Sequence, residues 1–173
     1  PNADTLTGRA VCVHDPCSAR ADRTTQESVR ALLDRLGVRI EPTATERELT
    51  SCCGFGGLVS FANPDVAAKM VRRRSAESST DFLAYCAMCR DQFAAGGKRT
   101  FHLLDLIWGA DATAADRPSP GFSDRRENRL RLKQRLLQEL WGEKIMEEGK
   151  DLRIEIPVEV RTRMEQRMIL SDD

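Results

Sequence analysis

The stretch Ser51-Cys52-Cys53-Gly54-Phe55-Gly56-Gly57 sets two adjacent cysteines beside three glycines. Thirty-four residues separate its first cysteine from Cys17, and 32 residues separate its second cysteine from the pair Cys86-x-x-Cys89. Thiolates are soft ligands that suit zinc, copper(I) and iron-sulfur clusters. We predict that these five thiols converge on one metal centre and that the fold serves to bring them together.

Length and composition narrow the class of protein. The chain has 173 residues, enough for one domain with a core plus an appendage, and its 27 basic and 27 acidic residues give a formal net charge of zero. The chain therefore has no net positive charge of the kind that binds nucleic acid or an anionic membrane. No apolar run reaches the length of a transmembrane helix, and the first residues do not resemble a signal peptide. Six cysteines without such a signal indicate a reducing, cytoplasmic compartment, in which thiols bind metal or do redox chemistry.

The pattern of apolar residues predicts an α/β domain over residues 1–110. A helical pattern lies between a first strand, which ends at Asp15-Pro16, and a second strand after Gly37, and this order favours parallel pairing. We therefore predict a small Rossmann-like domain of three layers with a short, mainly parallel sheet. The predicted strands cover residues 9–15, 38–41 and 81–85, and residues 99–101 are predicted to form a fourth strand or a turn. Two predicted helices have N-caps at Thr24 or Thr25 and at Asn63, and two more cover residues 88–95 and 103–108.

The cysteines fall after the predicted strands. Cys17 and Cys86 follow strands directly, and the Cys52-Cys53 loop lies between a strand and a helix. In parallel sheets, binding sites collect at the carboxyl edge, where the loops from strand to helix meet. Topology therefore predicts that the thiols of all three loops approach one point.

The remainder of the chain has a different character. Residues 111–125, rich in Ala, Asp, Arg, Pro and Ser, are predicted to form a linker. Residues 126–173 are predicted to form a mainly helical extension, with a strand-like alternation of apolar and charged residues over 152–156. The apolar stripe of this extension either covers the sheet of the first domain or docks on another part of a larger protein. We expect the chain to be a fragment of such a protein.

The adjacent pair of cysteines favours a cluster over a single ion. One tetrahedral zinc closes with four ligands, whereas a cluster of several irons can accept Cys52 and Cys53 on different irons. Gly54, Gly56 and Gly57 lack a Cβ, so their backbone can approach a cluster and their N–H groups can hydrogen-bond to sulfur. The same glycines also suit a plain tight turn. They do not have the Gly-x-Gly-x-x-Gly spacing of a dinucleotide site.

Four segments of the chain resemble the motifs of a known family, the cysteine-rich CCG domain. This domain occurs in one of the subunits of heterodisulfide reductase and in the iron-sulfur subunits of glycolate oxidase and related lactate-utilisation proteins. The resemblance covers about residues 9–108 and is carried by His14-Asp15-Pro16-Cys17, Cys52-Cys53-Gly54-Phe55-Gly56-Gly57, Asn63-Pro64-Asp65 and Cys86-x-x-Cys89. It implies a domain or subunit of an oxidoreductase with a noncubane [4Fe-4S] cluster, or zinc in some members, held by Cys17, Cys52, Cys53, Cys86 and Cys89.

The resemblance also implies partners, namely other redox domains or subunits that carry flavin or ferredoxin-like groups. The heterodisulfide reductase subunit has two such domains and this chain shows one, so the full cleavage of a disulfide is not implied. The leading hypothesis is electron transfer from such a partner to a quinone, disulfide or thiol substrate. The alternatives are a structural or interaction module with one zinc on four of the five cysteines, and a metal-free thiol–disulfide enzyme that uses Cys86 and Cys89.

Other polar and thiol side chains have weaker claims to a role. Cys12 is interpreted as a small buried hydrophobe rather than a sixth ligand. His14 can tune or ligate the centre, but the favoured interpretation is a polar group that fixes its loop, and His102 is predicted to be structural. The arginines named as candidates to balance thiolates or bind an acidic substrate are Arg20, Arg23 and Arg90, whereas Arg72-Arg73-Arg74 is interpreted as a solvated helix end.

Overall fold

The computed structural model describes residues 8–142 and 156–167 of the chain. The chain divides into two compact units, Pro1–Ser119 and Pro120–Asp173. Most of the predicted strand over residues 152–156 lies outside the described residues. The predicted linker, residues 111–125, contains the boundary between the units.

The first unit is built on a four-stranded sheet with the order β2-β1-β3-β4, in which every described pairing is parallel. In the register of the two central strands, His14 lies opposite Ala84, which in turn lies opposite His102 on the outer strand. The parallel α/β architecture is therefore confirmed. The strands are β1 (Ala10–His14), β2 (Arg39–Ile40), β3 (Phe82–Ala84) and β4 (Thr100–His102).

Helices connect the strands and cover both faces of the sheet. Asn63 caps α3 by accepting a hydrogen bond from the N–H of Val66 at 3.1 Å, as predicted. The predicted cap of α1 is wrong, because the N-cap is Asp22, whose carboxylate accepts the N–H of Thr25 at 3.0 Å. The helices of this unit are α1 (Arg23–Arg35), α2 (Val59–Ala62), α3 (Pro64–Ser75), α4 (Ala87–Ala95) and α5 (Leu103–Ile107).

Alternation along β1 separates two cores, because successive side chains of a strand point to opposite faces. Val11 and Val13 pack on one face, in a core that includes Leu33 of α1 and Leu106 of α5. Cys12 packs on the other face, in a core with residues of α3 and α4 that include Val71 and Phe93. The three predicted layers are present, and Cys12 is the buried hydrophobe that its position predicted.

The packed part of the first unit continues past residue 110. Residues Ala112–Asp116 form a 3-10 helix, and Ala115 is buried in the same core as Val11. Arg90 reinforces this connection from α4, since its buried guanidinium donates to the carbonyl oxygens of Arg117 and Pro118. The sequence allowed Arg90 to balance the thiolates. Its guanidinium instead holds residues 117 and 118 against α4.

Arg74 corrects the interpretation of the charge run at the end of α3. Its side chain is completely buried, and its guanidinium donates to the carbonyl oxygens of Val13 at 3.1 Å and Thr45 at 2.9 Å. It also forms an ion pair with Glu77. These contacts fasten the segment after β2, which leads to the Cys52-Cys53 loop, to the sheet.

The second unit is helical in its described part, as predicted for a mostly helical C-terminal extension. It contains α6 (Phe122–Trp141) and α7 (Val158–Gln166). The carboxylate of Glu165 accepts hydrogen bonds from the backbone N–H groups of Phe122 at 2.7 Å and Ser123 at 3.2 Å, so α7 caps the start of α6. Among the described helices of both units, none combines the length and the apolar composition that crossing a bilayer requires.

Candidate metal centre

The sheet order places the cysteine loops at one edge. The chain leaves β1 toward β2 on one side and leaves β3 toward β4 on the other, so the loops after β1 and β3 diverge at a topological switch point. Cys17 begins a 3-10 helix after β1, and Cys86 is the N-cap of α4 after β3. The Cys52-Cys53 loop follows β2 and leads into α2. The predicted location of the site at the carboxyl edge therefore agrees with the topology.

Three buried side chains form the inner part of this site. The Sγ atoms of Cys53 and Cys89 and a ring nitrogen of His14 all lie within 4.8 Å of one another. The two sulfur atoms are hydrogen-bonded at 3.2 Å. These residues come from β1, the loop after β2, and α4, so one position gathers three distant parts of the chain.

The imidazole of His14 is buried without a conventional partner. It is 1% exposed, and neither ring nitrogen has a hydrogen-bond partner among the described residues. Its orientation is fixed by an edge contact with the ring of Phe93, at 4.7 Å between centroids. A buried polar group without a partner costs about 1–3 kcal/mol, so this ring is not explained as a group that fixes the loop. His102 differs, because its Nδ1 caps α5 by accepting the N–H of Leu104, which confirms its structural role.

The remaining predicted ligands surround the inner three. The thiol of Cys86 interacts with that of Cys89 at the first turn of α4. Cys52 is half-buried, and its Sγ accepts the backbone N–H of Gly54 at 3.3 Å. Cys17 is exposed and interacts electrostatically with Cys52. The structure thus brings the buried thiols of Cys53 and Cys89 together, with the half-buried Cys86 and Cys52 beside them and Cys17 exposed; ligation by all five stays a prediction.

The thiols of Cys53, Cys86 and Cys89 differ in the direction in which their pKa values are shifted. The neighbouring Cys89 thiol lowers the pKa of Cys53 against the effect of burial. Cys89 also lowers the pKa of Cys86 to about 6, assisted by backbone N–H groups at the start of α4. Cys89 itself has a raised pKa, because the two neighbouring sulfurs favour its protonated form. A metal ion would displace this proton, since thiolates are the ligating form.

A single buried carboxylate connects the three cysteine loops. Asp15 Oδ2 accepts the backbone N–H of Arg47 at 2.9 Å, and Asp15 Oδ1 accepts the hydroxyl of Tyr85 at 2.8 Å. Both oxygens also accept from the guanidinium of Arg30 on α1, at 2.8 and 2.9 Å. Burial opposes ionisation of Asp15, but these donors outweigh it and hold its pKa below the usual value. Sequence reasoning assigned no role to Asp15, although it lies in one of the recognised motifs.

The contacts of Asp15 with Arg47 and Tyr85 each reach a different cysteine loop. Asp15 itself precedes Cys17, Tyr85 precedes Cys86, and Arg47 lies ahead of the adjacent cysteines. A second connection comes from Arg20, whose Nη2 donates to the carbonyl oxygen of Thr50 at 2.9 Å. Arg20 therefore joins two of the loops. Arg23, the third arginine considered, is exposed and forms an ion pair with Glu27 at 3.6 Å.

Gly54 allows the cysteine loop to lie against α3. Its φ is +83°, and a Cβ on it would meet the carbonyl oxygen of Ala67 at 3.0 Å and the Cβ of Met70 at 3.2 Å. Gly57 also has a positive φ, of +64°, but a Cβ there would meet no atom within 4 Å. Alanine at Gly57 would therefore add backbone strain alone, whereas alanine at Gly54 would add both backbone strain and a steric contact with α3.

The expected result is that Gly54→Ala lowers the free energy of unfolding by about 2–4 kcal/mol, because strain and crowding add. Gly57→Ala, which adds strain alone, is expected to lower it by about 1–2 kcal/mol. Denaturant unfolding of the reduced, metal-free chain measures both values. Equal losses for the two variants would show that α3 does not constrain the loop at Gly54.

The donor set at this edge fits a metal. Thiolate sulfur and imidazole nitrogen are the protein ligands preferred by zinc and by iron in sulfur-rich sites. The unpartnered nitrogens of His14 beside Cys53 and Cys89 are the observation that a purely hydrophobic core does not explain. The fold and the site together define a small α/β domain with a thiol-rich candidate metal site at its sheet edge.

Comparison with known families places this domain more narrowly. Residues 11–94 match the family model of CCG, described as a cysteine-rich domain. This part of the chain is a cysteine-rich domain of the CCG family. Comparisons with curated proteins and with solved structures gave no match.

Proposed function

We propose that this domain is an electron-transfer module of an oxidoreductase related to heterodisulfide reductase. In this proposal a noncubane [4Fe-4S] cluster is held by Cys17, Cys52, Cys53, Cys86 and Cys89. The observation that carries it is the buried contact between Cys53 and Cys89, 3.2 Å between sulfurs, with Cys86 beside them at the start of a helix. When bound, the cluster would supply one-electron redox chemistry.

The number and placement of the thiols favour a cluster over one zinc ion. A four-coordinate ion is satisfied by four donors at one point. Here the thiols extend from the buried pair of Cys53 and Cys89 to the half-buried Cys52 and the exposed Cys17. Several irons can use such a spread of ligands, because each iron takes a different subset. The N–H of Gly54 on the sulfur of Cys52 is also the kind of hydrogen bond that raises the reduction potential of a cluster.

The exposed side of the site suits exchange of electrons with a partner that carries a flavin or a ferredoxin-like cluster. Cys17 is exposed, so this side of a bound cluster would lie at the surface. Leu49 and Leu58, in segments on either side of the adjacent cysteines, are 70% and 69% exposed. The acceptor in this proposal is a quinone, a disulfide or a thiol substrate, and the reactions take place in the reducing cytoplasm.

Anaerobic reconstitution of the full chain with iron and sulfide tests this function. The expected product is brown and contains about four irons per chain with an equal amount of acid-labile sulfide. It is reduced by dithionite to a state with an electron paramagnetic resonance signal. A colourless protein with one zinc per chain would favour the structural alternative. A colourless, metal-free protein with a titratable dithiol would favour the thiol–disulfide enzyme.

A further inference from the structure

We propose that His14 is a nitrogen ligand of this centre, so that one metal is bound by its imidazole together with the thiolates of Cys53 and Cys89. The inference rests on the proposed function in one respect, namely that the site binds metal. It goes beyond that function because all five ligands given there are thiols. The mixed donor set would distinguish the buried metal from any metal bound by the outer thiols of Cys17 and Cys52.

The burial of His14 is the first step of the argument. Its ring is 1% exposed and has no hydrogen-bond partner at either nitrogen among the described residues. Buried polar groups in native proteins are almost always hydrogen-bonded or bound to a ligand. A histidine binds a metal through the lone pair of a ring nitrogen, and neither nitrogen of His14 is engaged by a hydrogen bond within the described residues. The missing partner is therefore explained if the ring nitrogen faces a metal.

The position of the ring is the second step. A nitrogen of His14 lies within 4.8 Å of the sulfurs of both Cys53 and Cys89, and these sulfurs are 3.2 Å apart. Two thiolates on one tetrahedral ion lie about 3.8 Å apart, as follows from metal–sulfur distances of about 2.3 Å. A nitrogen and a thiolate on the same ion lie about 3.6 Å apart, so these three side chains need to shift by about an ångström to bind one ion.

The fold fixes this position before any metal binds. His14 is the last residue of β1, paired with Ala84, and its ring is held by the edge contact with Phe93. A ligand on a central strand and held by packing is more rigid than one on a loop. The inner donors thus combine a rigid imidazole with one loop thiol, Cys53, and one thiol in the first turn of α4, Cys89.

The chain provides its own control, because it has two histidines. His102 is 2 residues before Leu104, whose N–H its Nδ1 accepts at 3.2 Å, and it caps α5. Asparagine at position 102 can also cap α5, because asparagine is among the preferred N-cap residues. His102→Asn is therefore the matched control for His14→Gln, and both variants retain all six cysteines.

The experiment uses the full chain, labelled with ¹⁵N in its histidine rings, reduced and titrated anaerobically with ¹¹³Cd²⁺. Cadmium is a soft, diamagnetic ion for the same donors, and a direct bond to nitrogen produces a scalar coupling between ¹¹³Cd and ¹⁵N. The expected spectrum shows this coupling at one histidine. The coupling is expected to persist in His102→Asn and to disappear in His14→Gln. The affinity for Cd²⁺ in His14→Gln is expected to fall by more than the roughly 10- to 100-fold that follows the loss of an outer hydrogen-bond partner.

The outcomes separate this inference from the function on which it rests. Stoichiometric Cd²⁺ without coupling to any imidazole nitrogen would overturn the role of His14 and leave the metal site intact. Failure of the chain to bind either Cd²⁺ or iron would overturn both proposals, whereas Cd²⁺ coupled to His14 without formation of a cluster would overturn only the proposed electron-transfer function. The coupling is measured on the unaltered chain, so the decision does not depend on whether His14→Gln folds.

Discussion

Asp15→Asn is expected to lower the free energy of unfolding by about 3–5 kcal/mol, the loss typical when one member of a buried ion pair is removed. The carboxylate of Asp15 is completely buried, and the side chain of its partner Arg30 is 13% exposed. Asparagine has nearly the same shape but cannot balance the guanidinium. One side of the amide also carries N–H donors, which would face donors at Arg30, Arg47 or Tyr85.

The same substitution is expected to weaken metal binding, although Asp15 is not among the predicted ligands. Its contacts hold the three segments that lead to Cys17, Cys52 and Cys86 in one arrangement. Without them, metal binding must also order the loops, so the affinity is expected to fall by roughly 10- to 100-fold. Titration of the reduced chain with Cd²⁺ measures this loss independently of unfolding.

The pH dependence of stability provides a second check on Asp15. Its pKa in the folded chain is lowered, so the ionised carboxylate stabilises the fold at pH values above its unfolded pKa of about 3.9. This contribution is lost as the pH falls from about 4 through the lower folded pKa. The difference in stability between the unaltered chain and Asp15→Asn is therefore expected to be full at neutral pH and to shrink below about pH 4.

Asp34→Asn is the matched control, since it makes the same chemical change at an exposed position on α1. We expect it to change the free energy of unfolding by less than about 0.5 kcal/mol. If Asp15→Asn were no more destabilising than Asp34→Asn and retained full affinity for Cd²⁺, the connecting role of Asp15 would be rejected.

Local sequence signals account for most of the elements of the fold. The apolar run of β1 predicted a buried strand, and Asn63-Pro64 predicted the start of α3, because these features depend on residues close in sequence. The cap of α1 was misassigned because Asp22 and the two threonines after it are all acceptable caps. Only the path of the chain from Cys17 into the helix decides among them.

The buried arginines were not predictable in the same way. Arg74 donates to a carbonyl oxygen 61 residues away in sequence, and Arg90 to one 27 residues away. A charged side chain is buried only where such acceptors converge, and the convergence is a property of the tertiary fold. Residues 72–74 were interpreted as a solvated helix end because nothing near them in sequence shows which of the three arginines faces the core.

The candidate site was predicted in its topology but not in its inner arrangement. The positions of Cys17 and Cys86 after strands placed the thiols at one sheet edge. The division into buried and exposed thiols depends on how the loops fold over the edge, which the sequence pattern does not encode. The sequence did contain a signal that His14 is buried. His14 lies two residues after the buried Cys12, and residues two apart in a strand share one face of the sheet.

Cys53→Ser is expected to abolish cluster formation, with iron and sulfide content falling by about an order of magnitude or more. The sulfur of Cys53 is the member of the adjacent pair that lies beside Cys89 and His14 in the interior. A serine oxygen is a harder donor and stays protonated at neutral pH, so it cannot replace the thiolate of Cys53, whose pKa is lowered by the neighbouring Cys89 thiol. Iron, sulfide and protein analysis after anaerobic reconstitution measures the effect.

Cys12→Ala is the control for the loss of a buried thiol on the same face of the sheet. Cys12 lies in the core, and burial raises the pKa of its thiol, which disfavours the ligating form. Its substitution is expected to lower the free energy of unfolding by about 1 kcal/mol and to leave iron and sulfide content unchanged. Loss of the cluster in Cys12→Ala would make the thiol of β1 a sixth ligand.

Cys52→Ser distinguishes a cluster from a single ion at the same edge. A zinc bound by His14, Cys53, Cys86 and Cys89 has four donors without Cys52, so its stoichiometry would be unaffected. A cluster that uses both adjacent cysteines on different irons would be lost or converted in Cys52→Ser as well as in Cys53→Ser. Unchanged metal content in Cys53→Ser would contradict both arrangements, because each of them requires the buried sulfur that lies 3.2 Å from Cys89.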